Sequence, residues 1–175
     1  MMADTLQKYY ILDDLRQAPG HLMRRCQQIA VSVFLDECRP WDLTPLQFAV
    51  LAELNRHGPH DQVGLGGALA MDRTTIGVVV KKLEKLNLVE RTVSEKDRRS
   101  KTVSITTEGS RLIQDAMPAA ETAQDRMLAP LTVAERAQFM RLLGKVANGN
   151  NSESRAPLRR QHQSRRSDGS AIVVS

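Results

Sequence analysis

Short polar and cationic residues cluster just after Asp72. The order is Arg73-Thr74-Thr75, with Gly77 two positions further on. Asp is a favoured N-cap residue, so this order places those side chains on the first turns of a helix that begins at residue 73. There, side chains can reach base edges in a DNA groove, backbone amides can meet phosphate, and glycine permits close approach. The pattern therefore indicates a helix that contacts nucleic acid.

A second set of cations lies further along the same predicted helix. Lys81, Lys82 and Lys85 fall outside its aliphatic stripe and are suited to the phosphate backbone. Lysines on a helix more often form a simple solvated face. Because Lys96 and Arg98 lie in a nearby polar turn, we favour phosphate contact for both groups.

Two further helices are predicted to come before this one. Thr44-Pro45-Leu46-Gln47 has the residues of a reciprocal N-terminal cap, and His57-Gly58-Pro59 ends that first helix. A short helix is expected from about Asp61 to Ala70, although Gly64, Gly66 and Gly67 each weaken it by ~1 kcal/mol relative to Ala.

A change of period marks the end of the helical run. Asn87 suits the left-handed residue that closes a helix. From Leu88 the aliphatic residues alternate, which predicts a hairpin with strands around residues 89–93 and 103–105. Three helices followed by a hairpin with a cationic tip are typical of a winged helix-turn-helix.

Long helices are predicted at both ends of the chain. Residues 21–38 have Leu22, Cys26, Ile29 and Val33 on one face, and Thr132 begins a last helix that Asn148-Gly149 stops. Such apolar faces have no partner in a minimal DNA-binding unit, so they predict a homodimer. A two-fold dimer would place two recognition helices ~34–36 Å apart, in successive major grooves.

The predicted fold is mainly α with a small β-hairpin wing: a winged helix-turn-helix with flanking dimerisation helices. The predicted units are 1–43 (N-terminal dimerisation helices), 44–107 (DNA-binding unit), 108–147 (C-terminal dimerisation helices) and 148–175 (disordered basic tail).

Charge and hydropathy narrow the class of protein. The net charge is +5, of which residues 148–175 contribute +3, so the basic total is weak support for nucleic-acid binding. Whether the tail adds nonspecific DNA affinity or only solubility stays open. No apolar stretch approaches the roughly 18 residues of a membrane span, and no signal peptide is visible, so we expect a cytoplasmic protein without a membrane partner.

Three stretches together resemble the MarR-type repressors. They are Met71 to Arg91, Asp97-Arg98-Arg99-Ser100-Lys101, and Ile105-Thr106-Thr107-Glu108-Gly109. The most specific part is the wing pattern, in which Asp-x-Arg precedes a strand that ends in Thr-x-x-Gly. Gly66-Gly67 departs from the Glu-Leu or similar residues common at that place, which concerns only the stability of the short helix.

The resemblance covers about residues 10–147 and implies a dimer that binds promoter DNA and is often released by phenolic or other aromatic acids. It also implies that Arg99 reads the minor groove and that Asp97 orients it. A turn-stabilising ion pair is the plainer interpretation of those two residues. The stretch His21 to Gln28 with Trp41 is similar to repressors of aromatic or nicotinate catabolism.

A regulator of this layout needs a switch, and a small aromatic carboxylate is the predicted effector. Arg16, His21 and Arg25 are suited to its carboxylate, and Trp41 and Phe48 to its ring. Each of the five has an ordinary structural role as the alternative.

Cysteine oxidation and zinc binding are the alternative switches. Cys26 or Cys38 would be redox-active if Arg25 or Arg39 lowered its pKa, but Cys26 falls on the apolar stripe, where a buried inert thiol is expected. Zinc sensing through His57, His60 and Cys38 lacks the usual partner motif, so no metal or other cofactor is predicted.

An enzyme is the alternative of a different class. Gly64 to Leu69 begins like a dinucleotide-binding loop, but its sixth residue is Leu and no strand comes before it. No phosphate-binding loop or serine-nucleophile elbow is present either, so the sequence predicts no enzyme. A winged-helix interaction adaptor that does not bind DNA stays open.

Overall fold

The computed structural model describes residues 15–93 and 101–159. The helices are α1 (Pro19–Glu37), α2 (Pro45–His57), α3 (Gln62–Ala68), α4 (Arg73–Lys85), α5 (Thr107–Met127) and α6 (Val133–Gly149). The strands are β1 (His60–Asp61), β2 (Val89–Val93) and β3 (Lys101–Ile105), and short 3-10 turns lie at Leu15–Gln17, Arg39–Trp41 and Asn151–Glu153. Helices α2 to α4 and the β2–β3 hairpin form the predicted winged helix-turn-helix.

Side-chain caps begin the helices where the sequence predicts them. At α2, the Gln47 amide donates to Thr44 Oγ1 (3.3 Å) and the Thr44 amide donates to Gln47 Oε1 (2.8 Å), so the reciprocal cap is confirmed. Thr132 and Glu135 make the same pair of bonds at α6. At the other end of α4, Asn87 is left-handed with φ of 57°, as predicted.

The sheet has one strand more than the predicted hairpin. β2 and β3 pair antiparallel from Val89 with Ile105 to Val93 with Lys101. The additional strand, β1, pairs with the outer side of β3 through His60 with Val103. Its two residues are too few to show an alternating pattern, which is why the sequence did not predict it.

One hydrophobic core joins the winged helix-turn-helix to the first half of α5. Its most deeply buried side chains include Leu51, Leu54, Leu65, Ile76, Val80, Leu83, Val103 and Ile113. Phe34 and Cys38 form a smaller cluster with Ala120 and Ala123, where α1 packs on α5.

The joint between the wing and α5 explains the Thr-x-x-Gly pattern. Thr106 Oγ1 accepts from the Gly109 amide (3.0 Å) and donates to the Asn87 carbonyl (2.8 Å). A Cβ on Gly109 would lie 2.1 Å from the Leu88 carbonyl oxygen, so only glycine fits. The motif therefore fixes the start of α5 to the end of α4, the predicted recognition helix.

The end helices are far less buried. Only Phe34 of α1 is buried, and Leu22, Cys26 and Ile29 of its predicted apolar face are exposed. The prediction of a buried Cys26 is therefore wrong for the single chain. All 17 residues of α6 are described, and none is buried. Arg126 of α5 forms ion pairs with Asp36 (2.8 Å) and Glu37 of α1.

The segment predicted to be a disordered tail is ordered in its first part. Residues 148 and 149 belong to α6, a 3-10 turn follows, and the Arg159 amide donates to the Gly67 carbonyl at 2.8 Å. Residues 160–175 lie outside the described part of the chain. Within that part, no single helix is long and apolar enough to cross a membrane; α3 and α4 pass by length and composition only as a pair bent by 109°.

Candidate nucleic-acid interface

Asp72 sets the first turn of α4. Its carboxylate accepts from the Thr75 amide (2.8 Å) and from the Thr75 hydroxyl (2.9 Å). These bonds, the backbone one most of all, hold the pKa of Asp72 below its usual value. Thr75 is thus half-buried and engaged in the cap, whereas Arg73 and Thr74 are exposed at the helix start.

The outer face of α4 has the predicted cationic character. Ile76, Val79, Val80 and Leu83 are buried, and Lys81, Lys82 and Lys85 are exposed. Sequence reasoning missed Val78, which is 65% exposed between Thr74 and the lysines. An exposed aliphatic residue on such a face can contact a thymine methyl group. The signal was its position outside the buried stripe of the helix.

Gly77 faces α3. A Cβ at Gly77 would lie 3.3 Å from Gln62 Nε2, so the glycine admits the first residue of α3 beside α4. The sequence predicted close approach of DNA at Gly77; the structure shows a neighbour within the chain, and the approach of DNA stays a prediction. Gln62 was not among the predicted site residues because its proximity depends on the angle between the two helices.

The wing is anchored to α4 by an ion pair. Arg91 of β2 lies 3.3 Å from the Glu84 carboxylate, and Lys101 is exposed at the start of β3. Residues 94–100 connect the paired ends Val93 and Lys101. The predicted wing residues Lys96, Asp97, Arg98 and Arg99 lie outside the described residues.

The predicted ligand residues fall into two groups. Arg16, His21 and Arg25 lie near the start of α1, with His21 half-buried and the two arginines exposed. Trp41 and Phe48 lie beyond the other end of α1, and Phe48 meets Phe34 edge-to-face with ring centroids 5.4 Å apart. At 1.5 Å per residue, His21 is about 24 Å from Glu37 along the helix. One chain does not bring the two groups together.

The surroundings of Cys38, His57 and His60 differ from those that a redox switch or a zinc site requires. Cys38 is 1% exposed, and burial together with the charge of Glu37 raises the pKa of its thiol, which disfavours the reactive thiolate. His57 and His60 both lie against the Glu53 carboxylate, at 3.1 and 3.6 Å. Among residues 15–93 and 101–159, no three His, Cys, Asp or Glu side chains form a group that could hold a metal ion.

Comparison with known proteins identifies the family. The profile described as "MarR family" matches residues 43–101. The HTH-type transcriptional repressor NicR of Pseudomonas putida is 32% identical over 133 residues, which span 76% of this chain and 84% of NicR.

Two solved structures share the fold and some of the sequence. BpsR of Bordetella bronchiseptica, whose DNA binding is regulated by 6-hydroxynicotinic acid, is 30% identical with a TM-score of 0.74 over 77% of this chain and 96% of its own. PcaV of Streptomyces coelicolor, solved with its natural ligand, is 31% identical with a TM-score of 0.70 over 77% and 94%. This chain, with its recognition helix and wing, belongs to the MarR family of transcriptional regulators, which are DNA-binding proteins and not enzymes.

Proposed function

We propose that this regulator is a repressor that binds a pseudo-palindromic operator as a homodimer and is released by a small aromatic carboxylate. The observation that carries the proposal is the outer face of α4. Within the described residues, Arg73, Lys81 and Lys82 are exposed and have no carboxylate partner, so their charges are available to DNA.

The roles on DNA follow from position along the helix. Arg73, Thr74 and Thr75, with Gly77, lie at the end of α4 that enters a major groove, and Val78 would add contact with thymine methyl groups. Lys81 and Lys82 would bind phosphates on the groove wall. In the wing, we assign phosphate contacts to Lys96 and Arg98, minor-groove contact to Arg99, and its orientation to Asp97.

Exposed apolar side chains on the end helices support the homodimer. Met140, Leu142, Leu143 and Val146 of α6 are 41–55% exposed, and Leu22, Met23 and Ile29 of α1 are 40–48% exposed. A monomer gains nothing by displaying so many aliphatic residues on two helices. Burying them against a second copy would fix the spacing of two recognition helices.

The effector class is suggested by the relatives and by the types of residue at the two ends of α1. BpsR responds to 6-hydroxynicotinic acid, an aromatic carboxylate, and NicR is a repressor. If two α1 helices cross antiparallel, Arg16, His21 and Arg25 of one chain approach Trp41 and Phe48 of the other. A ligand bound there would bias the distance between the recognition helices.

Selection from a randomised duplex pool tests the operator and the dimer. We expect an inverted repeat with half-site centres about one helical turn apart. Lys81→Ala removes one phosphate contact per protomer and should lower the dimer's slope of log affinity against log salt by about 1.8, and the control Lys145→Ala on α6 should leave it unchanged. Absence of any enriched sequence would contradict the proposal.

Thermal shift tests the effector class. We expect 6-hydroxynicotinate or 4-hydroxybenzoate to raise the melting temperature and to release the duplex, because a ligand that binds only the folded state stabilises it by about 2.7 kcal/mol at 100 times its Kd. Cyclohexanecarboxylate, which lacks the aromatic ring, is the matched control. Equal responses to all three would count against an aromatic site.

A further inference from the structure

The chain after α6 folds back onto the helix-turn-helix. We call residues 151–159 the C-terminal arm. Its last described residue, Arg159, donates its amide to the carbonyl of Gly67 at 2.8 Å, at the end of α3. The arm therefore ends beside the turn that leads into the recognition helix.

Hydrogen bonds within the arm hold it in a closed loop. Asn151 accepts from the Leu158 amide through Oδ1 (2.8 Å) and donates to the Leu158 carbonyl through Nδ2 (3.0 Å). Between these residues, the Ala156 amide donates to Ser154 Oγ at 3.1 Å. One side chain thus closes the loop and sets the direction in which Arg159 leaves it.

The two glycines of α3 have separate purposes. A Cβ at Gly66 would lie 2.9 Å from the Met71 carbonyl oxygen, so this glycine is needed for the helix-turn-helix itself. A Cβ at Gly67 would lie 3.1 and 3.2 Å from Cδ and Cβ of Arg159. Gly67 therefore makes room for the arm. Each of the two glycines that weaken this short helix is therefore explained by a close contact of its own.

The arm, α3, α4 and β3 together line a half-open cavity of about 520 Å³. Four exposed cations contribute to its lining: Arg73, Lys101, Arg155 and Arg159. The two carboxylates of the lining, Asp61 and Asp72, cap α3 and α4 by accepting backbone amides at 2.7 and 2.8 Å. Among the described residues, none of the four cations forms an ion pair, so the opening is cationic.

We propose that the C-terminal arm is a DNA-binding element, in which Arg155 and Arg159 bind phosphates of the duplex that α4 and the wing hold. The proposal rests on the proposed function, since it needs the operator to lie along α4. Arg73 of α4 and Lys101 of β3 line the same opening. A duplex held by α4 and the wing would place its phosphates there, which favours duplex phosphates over a free anion. The arm is positively charged, as is the DNA-binding face. This argues against an arm that covers the face and excludes DNA.

The main test compares two pairs of arginines in the full-length chain. Arg155→Ala with Arg159→Ala removes the arm cations, and Arg165→Ala with Arg166→Ala removes the same charge further along. Each phosphate contact contributes about 0.9 to the slope of log affinity against log salt, so loss of two contacts per protomer should lower a dimer's slope by about 3.6. The control pair should lower it less.

A second variant tests the docked geometry with all charges retained. Asn151→Leu removes both bonds to Leu158 and should weaken duplex binding without changing the melting temperature of the winged helix-turn-helix. Binding equal to that of the unmodified protein would mean that the arm acts only as a flexible polycation, and the proposal would be wrong.

The outcomes separate this proposal from the one on which it rests. If the unmodified protein binds no selected duplex, the operator proposal fails and the arm proposal fails with it. If that protein binds and the two arginine pairs behave alike, or the arm variant binds more tightly, the arm proposal alone fails. If the arm variant loses only stabilisation by inorganic phosphate, the cavity holds a free anion and the arm proposal is wrong.

Discussion

The winged helix-turn-helix and the two end helices are built from the same aliphatic residues but reach different degrees of burial. In the first region, one chain completes the core: the exposed fraction is 0% for Leu51, Leu65, Val80 and Val103. In the second, Leu143 and Val146 remain 41% and 44% exposed. The DNA-binding unit is thus complete in one copy, whereas the end helices leave apolar side chains exposed, as the proposed homodimer requires.

A single added methyl group should have very different effects in the two regions. Gly109→Ala places a Cβ against the Leu88 carbonyl and should cost about 3 kcal/mol, because a backbone atom must move. Gly144→Ala on α6 meets no atom within 4 Å and should be neutral or stabilising by up to ~1 kcal/mol. Denaturant unfolding measures both, and equal effects would contradict the contrast.

A charged residue on α6 should prevent dimerisation and leave the DNA-binding unit folded. We expect Leu143→Glu to give a monomer by light scattering and to weaken operator binding about 100-fold, since the two half-sites are then bound independently. The control Arg141→Glu changes an exposed position of the same helix that is already polar. A dimeric Leu143→Glu protein would show that α6 is not the interface.

A substitution in the wing should have a smaller effect, confined to the winged helix-turn-helix. Arg99→Ala should weaken operator binding about tenfold, within the 1–3 kcal/mol expected for a base-contacting arginine, and should leave the dimer and its melting temperature unchanged. Undiminished affinity in a fluorescence-anisotropy titration would show that the wing assignment is wrong.

The smallest effect concerns the cap of α4 and its dependence on pH. The folded state holds the pKa of Asp72 below its value in the unfolded chain, so the stabilisation is complete above the unfolded pKa and is lost as the pH falls through the folded pKa. Asp72→Asn keeps a capping side chain but cannot titrate. Its melting temperature should therefore fall less than that of the parent between pH 5 and pH 2. Identical pH profiles would contradict this role of Asp72.

Local features of the chain were predictable from the sequence. The caps at Thr44, Asp72 and Thr132, the left-handed Asn87 and the paired strands after Leu88 all depend on residues within a few positions of each other. A capping side chain bonds to the amide three residues on, and a strand shows its period in its own residues. For the same reason, the outer face of α4 was predictable apart from Val78.

What tertiary structure alone decided are the contacts between distant parts of the chain. β1 pairs with β3 some 40 residues later, Gly77 receives Gln62 from another helix, and Arg159 meets Gly67. The exposure of Cys26 likewise follows from how α1 packs. The sequence determined the local elements because short-range hydrogen bonds and periodicity specify them; helix-packing angles and chain reversal, which no local pattern encodes, determined which side chains meet.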